Sequence, residues 1–403
     1  MKKFTIIFFT HALLFFSVFT TALANNSSEG IDSYWFALLN KVVAINSGTT
    51  NIEGLNDVRH IFIEEFEKIG FETTVVELKN NRKIVYFQMP NSRPNIVFLG
   101  HIDTVFSLDS SFKDIEVKDN TIIGPGVIDM KGGIILMLNI LSDLKENREI
   151  LKNVRIILTD EEEVGSMNSK EQLQRLTKSM KHCLVFEPGL ANGDFVTGHS
   201  GVKWIKISVK GKSAHAGLEH DIGVNSIVDL SNKIVKISQF TDYSNNLTVN
   251  PGVITGGKKA NVVPDEASVI VDIRYRNNND LELLLKKIEE IVKTQYVFNN
   301  KIEQGTIAEL IDIAQLPAMP ESKAFYLMGI ITQIGKNYNL NFTGVPVGYG
   351  SDANHIASYQ DVQIIDGLGP YGGGMHTEQE FMLISSYTQR LIICKDLVIQ
   401  LSQ

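Results

Sequence analysis

Four consecutive acidic residues, 160–163, form the stretch of this sequence with the clearest potential for chemistry, and they follow the apolar run 154–158. Adjacent carboxylates repel one another, and an acidic run is most often a solvated loop. The apolar lead-in favours a different interpretation, because it predicts a buried strand, and strand ends in α/β sheets carry ligands and catalytic groups. A bound cation would turn the repulsion into attraction. The run therefore indicates a metal site, provided that other ligands exist.

Candidate ligands of suitable type follow other apolar runs or lie in glycine-rich turns. His101 and Asp103 end one run and, being two residues apart, would share one face of a strand. Glu187 ends another run, and Asp129 and His376 lie among glycines, which let the backbone approach closely. Each of these residues alone is most often structural. Together with the acidic run they form a mixture of imidazole and carboxylate groups that suits two zinc ions bridged by one carboxylate.

Two patterns of predicted secondary structure would position these groups. Up to about residue 188, helices alternate with short apolar strands, as in an α/β sandwich whose sheet is covered on both faces. After residue 201 the strands alternate polar and apolar residues, and the order βαββαβ is that of a ferredoxin-like unit. We predict a catalytic domain at residues 25–200, continued at 317–403, with a small domain inserted at 201–316.

The N-terminus predicts export. Lys2 and Lys3 precede a long apolar run that ends in Ala-Leu-Ala at residues 22–24, which is typical of a secretory signal peptide cleaved before Asn25. An uncleaved anchor helix is the alternative. No other stretch is long and apolar enough to span a bilayer. We therefore expect a periplasmic or secreted protein with no stable membrane insertion after cleavage.

Composition narrows the possible partners. The 403 residues carry a net charge of -8 without a dense Lys/Arg stripe, which argues against nucleic-acid binding. The two cysteines, Cys183 and Cys394, both lie in apolar runs. We predict two packed thiols rather than a disulfide, although export would permit one.

The ordered motifs resemble the family of co-catalytic zinc exopeptidases and deacylases, which includes acetylornithine deacetylase, succinyl-diaminopimelate desuccinylase and bacterial glutamate carboxypeptidase. The similarity spans nearly the whole chain after the predicted signal peptide and is greatest to the carboxypeptidase G-type branch. It rests on GHIDTV, GVIDMKGG, TDEEEVGS, FEPG, GKSAHAG, NVVPDEA, DIRY, GYGSDAN and GGGMHTE. It implies a zinc-exopeptidase α/β sandwich with an inserted ferredoxin-like dimerisation and lid domain, two zinc ions per subunit (cobalt or manganese as alternatives) and a homodimer.

The resemblance also implies the ligand set. One zinc ion would be bound by His101, Asp129 and Glu187. The other would be bound by Asp129, Glu162 and His376, so that Asp129 bridges the pair. The peptide bond after Asp129 is expected to be cis.

Catalytic roles follow from the same resemblance. Asp103 would fix the tautomer of His101. Glu161 would take a proton from a metal-activated water and return it to the leaving amine. Asp160 and Glu163 would be structural or solvated.

Substrate contacts are implied in the small domain and at one later segment. His215, acting in the partner's active site, would donate to the oxyanion. Asn261 and Arg274 would hold substrate oxygens, with the Arg274 fork matched to a free carboxylate. Gly350 and Ser351 would line the same end of the site.

The implied reaction is release of a C-terminal amino acid from a peptide or an N-acyl amino acid. An N-acyl-amino-acid deacylase or a dipeptidase of the same fold remains an alternative, whereas the complete ligand set argues against a catalytically silent binding protein. One residue departs from the glutamate-specific branch: Leu316 stands where a basic residue is expected. A preference for C-terminal glutamate would then depend on another group such as Lys258 or Lys259.

Overall fold

The computed structural model describes residues 30–358 and 361–403. The predicted signal peptide, residues 1–24, lies outside the described residues. Among the helices of the described ranges, none combines the length and the apolar character that a membrane span requires.

Ten α-helices and twenty strands are present in the described ranges. The helices are α1 Ser33–Val43, α2 Ile52–Ile69, α3 Lys131–Asp143, α4 Arg148–Lys152, α5 Lys170–Thr177, α6 Ser226–Ser238, α7 Asn278–Lys293, α8 Phe325–Asn337, α9 Ala353–Ala357 and α10 Ile384–Leu401. The strands are β1 Glu72–Glu77, β2 Lys83–Gln88, β3 Ile96–His101, β4 Glu116–Lys118, β5 Thr121–Ile123, β6 Val154–Thr159, β7 His182–Val185, β8 Phe195–His199, β9 Gly201–Lys210, β10 Ala214–His215, β11 Thr248–Gly256, β12 Val262–Val263, β13 Glu266–Tyr275, β14 Phe298–Asn299, β15 Gln304–Gly305, β16 Ile307–Leu316, β17 Gly344–Val347, β18 Gln363–Ile365, β19 Gly372–Gly373 and β20 Phe381–Leu383.

The chain divides into two compact units. The first contains the described residues up to 196 together with 326–344 and 363–403, and the second contains 197–325 and 345–362. The predicted fold class, an α/β catalytic domain with a separate small domain, is confirmed. The predicted domain boundaries stay a prediction.

The first unit is built on a six-stranded sheet of order β1-β2-β6-β3-β7-β18. Strands β6, β3, β7 and β18 run parallel, and the remaining two pair antiparallel at one side. All six residues of β3 are buried, as expected of an apolar strand whose sheet is covered on both faces. The register places His101 beside Thr159 and Leu99 beside Val185. The carboxyl ends of β3, β6 and β7 therefore meet at one edge of the sheet.

Helix α3 packs closely against that edge. It is apolar around almost its whole circumference, and Lys131 to Leu141 are buried. A Cβ atom on Gly133, in its first turn, would lie 2.1 Å from the carbonyl oxygen of Phe186. Only glycine allows this approach, which brings the loop before α3 next to the chain that leads to Glu187.

The second unit contains an antiparallel sheet of order β11-β13-β9-β16. Strands β9 and β13 bury every second residue, and helices α6 and α7 pack on the sheet. Its core is formed by residues such as Ile205, Ile207, Val271, Leu230 and Ile288. The order β9-α6-β11-β13-α7-β16 is the predicted βαββαβ arrangement, with short two-residue strands between its members.

Candidate metal centre

The candidate centre lies at the carboxyl edge of the first unit's sheet. His101 is the last residue of β3, the acidic run follows β6 directly, and Glu187 follows β7 by two residues. Asp129 precedes α3, and His376 lies between β19 and β20. These positions come from five separate segments, so the tertiary fold and not local sequence brings the groups together.

The two carboxylate oxygens of Asp129 face two different imidazoles. Its Oδ1 lies 3.2 Å from Nε2 of His101, and its Oδ2 lies 3.1 Å from Nε2 of His376. Nε2 of His101 is 3.4 Å from Oε1 of Glu187. Nε2 of His376 is 3.2 Å from Oε2 of Glu163. The side chains thus form two donor sets with Asp129 in both, the arrangement expected of a bridging ligand.

The donor atoms fit a metal pair. Within the described part of the chain, His101, Asp129 and Glu163, and likewise His101, Glu162 and Glu187, offer ligand atoms that lie within 4.8 Å of one another. Imidazole nitrogens mixed with carboxylate oxygens are the ligand types of catalytic zinc sites. The predicted cis peptide bond between Asp129 and Met130 is present.

The structure brings a different member of the acidic run next to His376 than the sequence predicted, and the ligand role of Glu162 stays a prediction. Glu162 was expected to bind the same zinc ion as His376; in the structure, Oε2 of Glu163 lies 3.2 Å from Nε2 of His376. Glu163, expected to be structural or solvated, therefore joins the candidate ligands. Glu162 lies instead within 4.8 Å of donor atoms of His101 and Glu187.

Glu161, expected to be the general base, has its carboxylate engaged by the loop that follows it. Its side chain is 2 % exposed, and its carboxylate accepts hydrogen bonds from the backbone and side chain of both Asn168 and Ser169. Asp160 is buried as well: it pairs with Arg59 and accepts from the backbone N–H of Lys83. Both carboxylates are thus held by hydrogen bonds or an ion pair from neighbouring segments.

Asp103 occupies the predicted place beside His101 and also supports the acidic turn. Its Oδ1 lies 3.3 Å from Nδ1 of His101. The backbone N–H groups of Glu162 and Glu163 donate to its two oxygens at 3.1 and 3.2 Å, and Thr49 Oγ1 donates at 2.8 Å. One buried carboxylate therefore aligns an imidazole and the turn that carries two acidic candidates.

A second supporting carboxylate, Glu380, was missed in the sequence analysis. It is buried and accepts backbone N–H groups of Gly126, Ile128 and Asp129 at 2.9 to 3.2 Å. Burial raises the pKa of Glu380 to about 7. Its position shortly after His376 was a weak signal, because the groups that it binds are about 250 residues away in sequence.

Burial and hydrogen bonding shift the pKa values of the donors. Hydrogen bonds with Asp129 and Glu163 raise the pKa of His376 to about 10. Burial raises the pKa of Glu187 to about 8. Burial acts to lower the pKa of His101, but Glu187 and the other carboxylates nearby raise it well above its ordinary value. Burial acts to raise the pKa of Asp129, but hydrogen bonds from both imidazoles lower it below its ordinary value. Without a bound cation, the protonated form of both imidazoles is therefore favoured.

An open cleft of about 530 Å³ borders His376 in the same unit. Its lining includes Val105, Phe106, Ser111 and Thr377. The cleft gives the donor set on the His376 side access to a molecule larger than water.

The second unit holds the other predicted site residues, and two of them lie together. His215 pairs with Val262 in the two-stranded β10–β12 ladder, so the neighbouring Asn261 is close to it. The exposed His215 ring accepts backbone N–H groups of Gly217 and Leu218 at Nδ1, both at 3.2 Å. In the neutral ring the proton is therefore on Nε2, which leaves Nε2–H as an outward donor.

Arg274, expected to hold substrate oxygens, pairs with a carboxylate on its own strand. Its Nε and Nη2 donate to the two oxygens of Asp272 at 2.9 and 3.1 Å, so the fork expected for a substrate carboxylate already holds an internal one. A substrate would have to bind at Nη1 or displace Asp272.

Gly350 and Ser351 lie beside Leu316 and His199 within the second unit. A Cβ atom on Gly350 would lie 2.4 Å from Cδ2 of Leu316. Oγ of Ser351 is 3.3 Å from Nε2 of His199. Lys258, a possible substitute for the absent basic residue, is exposed and pairs with Asp265. Both cysteines are free and buried, as predicted.

Comparisons with known proteins find similarity to peptidases and to a desuccinylase. The model of the peptidase dimerisation domain matches residues 197–300, and that of peptidase family M28 matches residues 84–193. Carboxypeptidase G2 from Pseudomonas sp. (strain RS-16) is 26% identical over 380 residues, covering 90% of this chain and 88% of that protein. Succinyl-diaminopimelate desuccinylase from Rickettsia bellii (strain OSU 85-389) is 29% identical over 313 residues, covering 72% and 78%.

Solved structures share the fold. Aminopeptidase PepT from Bacillus cereus superimposes with a TM-score of 0.75 at 20% identity, covering 92% of this chain and 98% of the other. A dinuclear metal-binding peptidase of the M20 family from Bacillus subtilis superimposes with a TM-score of 0.65 at 13% identity, covering 92% and 98%. The resemblance that the motifs predicted is confirmed: this chain is a hydrolase of peptide or amide bonds and carries the dimerisation domain of the metallopeptidases that it resembles.

Proposed function

We propose that the protein is an exported, zinc-dependent exopeptidase that releases a C-terminal amino acid from peptides or N-acyl amino acids. The observation that carries the proposal is Asp129, whose two oxygens each contact a different imidazole. Export rests on the N-terminal signal pattern, and the carboxypeptidase assignment rests on the similarity to carboxypeptidase G2 across 90% of the chain.

Two metal sites follow from the donor sets. His101, Asp129 and Glu187 would hold one ion, and Asp129, Glu163 and His376 would hold the other. Bound metal ions would lower the pKa of a water molecule and polarise the amide carbonyl. Asp103 and Glu380 hold the donors in place from behind, since each accepts hydrogen bonds from the segments that carry them.

Glu162 is the best candidate for the general base. Its backbone is fixed by Asp103, it is only partly buried, and its carboxylate offers a ligand atom within 4.8 Å of those of His101 and Glu187. In this role its carboxylate would take the proton of the attacking water and then deliver it to the amine that leaves. This replaces Glu161, whose oxygens are engaged by Asn168 and Ser169.

The predicted substrate-binding residues of the second unit favour a neutral substrate side chain. Leu316 packs against Gly350, and the Arg274 fork is paired with Asp272. No basic side chain replaces Leu316 at that position, so a C-terminal glutamate side chain gains no charge partner there. Deacylation of N-acyl amino acids and cleavage of dipeptides are the neighbouring activities of the same reaction type.

A homodimer is proposed from the dimerisation domain at residues 197–300. The exposed Nε2–H of His215 suits donation to an oxyanion, and we assign it to the partner's metal centre. Mixing His215→Ala with Glu162→Gln tests this assignment, because a heterodimer contains one site with both groups intact. Activity should return toward about a quarter of wild type after random subunit exchange. If exchange occurs and no activity returns, His215 does not act in trans.

The direct test of function uses the purified mature protein. Metal analysis should find about two equivalents per chain, and chelation should abolish hydrolysis, because the attacking water depends on the metal pair. N-blocked dipeptides with varied C-terminal residues should release the free C-terminal amino acid. Active protein with a metal content near zero would refute the metallopeptidase mechanism. Activity confined to peptides with a free N-terminus would refute the carboxypeptidase assignment.

A further inference from the structure

Glu161 closes the loop that carries the acidic pair. Three hydrogen bonds converge on its Oε1, from the backbone N–H of Asn168 at 2.8 Å and from the N–H and Oγ of Ser169 at 2.7 and 2.8 Å. Its Oε2 accepts from Nδ2 of Asn168 at 2.7 Å. The Glu161 carbonyl oxygen also accepts the N–H of Ser166 at 2.9 Å. The loop 161–169 is therefore tied at both ends by one residue.

Glu162 and Glu163 lie inside this closed loop, at the start of a short 3₁₀ turn, Glu162–Val164. Their backbone N–H groups donate to Asp103 on the sheet side. The turn is thus fixed from the sheet by Asp103 and from the far end of the loop by Glu161. Fixing both ends sets the direction in which the two side chains leave the backbone.

We infer that Glu161 is a positioning residue for Glu162 and Glu163, which rests on the proposed function of that pair. Its four hydrogen-bond donors and the nearby Arg82, at 3.9 Å, occupy a carboxylate that is 2 % exposed. A group held in this way does not touch substrate. It determines instead whether Glu163 reaches the site beside His376 and whether Glu162 faces the reacting water.

Side-chain replacements separate this role from general-base catalysis. Glu161→Gln retains a carbonyl oxygen for the three bonds at Oε1, and the amide of Asn168 can rotate to accept from the new NH₂ group. Positioning therefore predicts wild-type metal content and turnover within about tenfold, whereas loss of a general base costs about 10² to 10⁴. Glu161→Ala removes all four bonds at once and should weaken metal binding by about 10- to 100-fold.

The experiment measures metal affinity by competition with a chromophoric chelator and turnover at limiting and saturating zinc. Glu161→Ala should bind zinc more weakly, and its turnover should recover to within several-fold at saturating zinc. Glu162→Gln, as comparator, should bind zinc normally and stay inactive at any zinc concentration. Glu171→Gln, an exposed acid in the next helix, is the matched control for charge.

Two results would overturn the inference. One is Glu161→Ala with wild-type zinc affinity, whatever its turnover. The other is Glu161→Gln with normal zinc content and a loss of a hundredfold or more that zinc does not restore. Because zinc affinity is read without substrate, this test stands apart from the proposed reaction: an inactive wild-type protein would refute the function and leave the positioning result readable.

Discussion

Acidification from about pH 7 to about pH 6 should release metal from the centre, and the set containing Glu187 should lose it first. Metal ligands must be deprotonated to bind. The pKa of His101 is raised well above its ordinary value, and that of Glu187 is raised to about 8, so this set must release two protons. The set containing His376, with a pKa raised to about 10, must release one from that imidazole.

The number of protons gives the magnitude. Each proton displaced changes the apparent affinity by about tenfold per pH unit, or about 1.4 kcal/mol. The His101–Asp129–Glu187 set should therefore weaken by about 100-fold per unit, and the Asp129–Glu163–His376 set by about tenfold. The sign is fixed, because the raised pKa values mean that affinity rises with pH. The window ends near pH 8 for Glu187 and near pH 10 for His376.

The assay is a competition titration with a chromophoric chelator of known pH dependence, repeated at several pH values. Glu187→Gln is the control, because it removes one titrating proton. In this variant the affinity of the set containing His101 should change by about tenfold per pH unit instead of about 100-fold, and binding should weaken. Affinities that do not change with pH at either site would refute the reasoning. They would mean that the imidazoles are neutral in the metal-free protein and that the hydrogen-bonded cluster is not held by protonated histidines.

Three further predictions concern single side chains. Glu162→Gln should keep both metals and lower turnover by about 10² to 10⁴, whereas Glu163→Gln should lose metal at the His376 side. Metal analysis together with kinetics separates the two variants, and the reverse pattern would identify Glu162 as the ligand. Glu380→Gln should weaken metal binding by about 10- to 100-fold, since Gly126, Ile128 and Asp129 lose part of their acceptor, and equilibrium dialysis measures this loss. C-terminal glutamate should not be preferred over neutral residues, and Leu316→Arg should raise the relative rate for glutamate in the release assay; a wild-type preference of a hundredfold or more would show that Lys258 or Lys259 supplies the charge.

Apolar runs and glycines were sufficient to predict which segments meet. His101 and Glu187 each end or closely follow a buried parallel strand, and the carboxyl ends of such strands share one edge of the sheet. Asp129 and His376 were indicated by glycine-rich segments, and both lie where the backbone turns sharply: His376 has a φ of 63°. The type of a strand and its burial can be inferred from the local sequence, so these positions were predictable.

Supporting groups with distant partners were not predictable. Glu380 accepts three backbone N–H groups from a loop far away in the chain, and nothing in its own neighbourhood distinguishes it from the exposed Glu378. The pairing of Arg274 with Asp272 is local, two residues apart on β13, but a strand pattern alone does not show whether such neighbours pair or face a ligand. Both cases depend on side-chain placement that periodicity leaves open.

The backbone of the acidic run explains why Glu163 comes close to His376. The backbone leaves the extended conformation at Glu161, with φ -150° and ψ 26°, and enters a 3₁₀ turn. The turn ends at Gly165, whose left-handed φ of 89° requires glycine. Glu162 and Glu163 lie on the turn that Gly165 ends. The position of this glycine, and not the end of β6, therefore indicates which acidic residues lie on the turn.

The charges of the four consecutive carboxylates are compensated by different partners. Asp160 is neutralised by Arg59, and burial raises its pKa to about 6 against that attraction. Glu161 is satisfied by hydrogen-bond donors at the far end of its loop. Only Glu162 and Glu163 point to the imidazole side, where cations would compensate them. Asp160 and Glu161 hold the strand end and the loop, so that Glu162 and Glu163 can be brought close together. The run of four carboxylates is stable because its first two members and its last two have different partners.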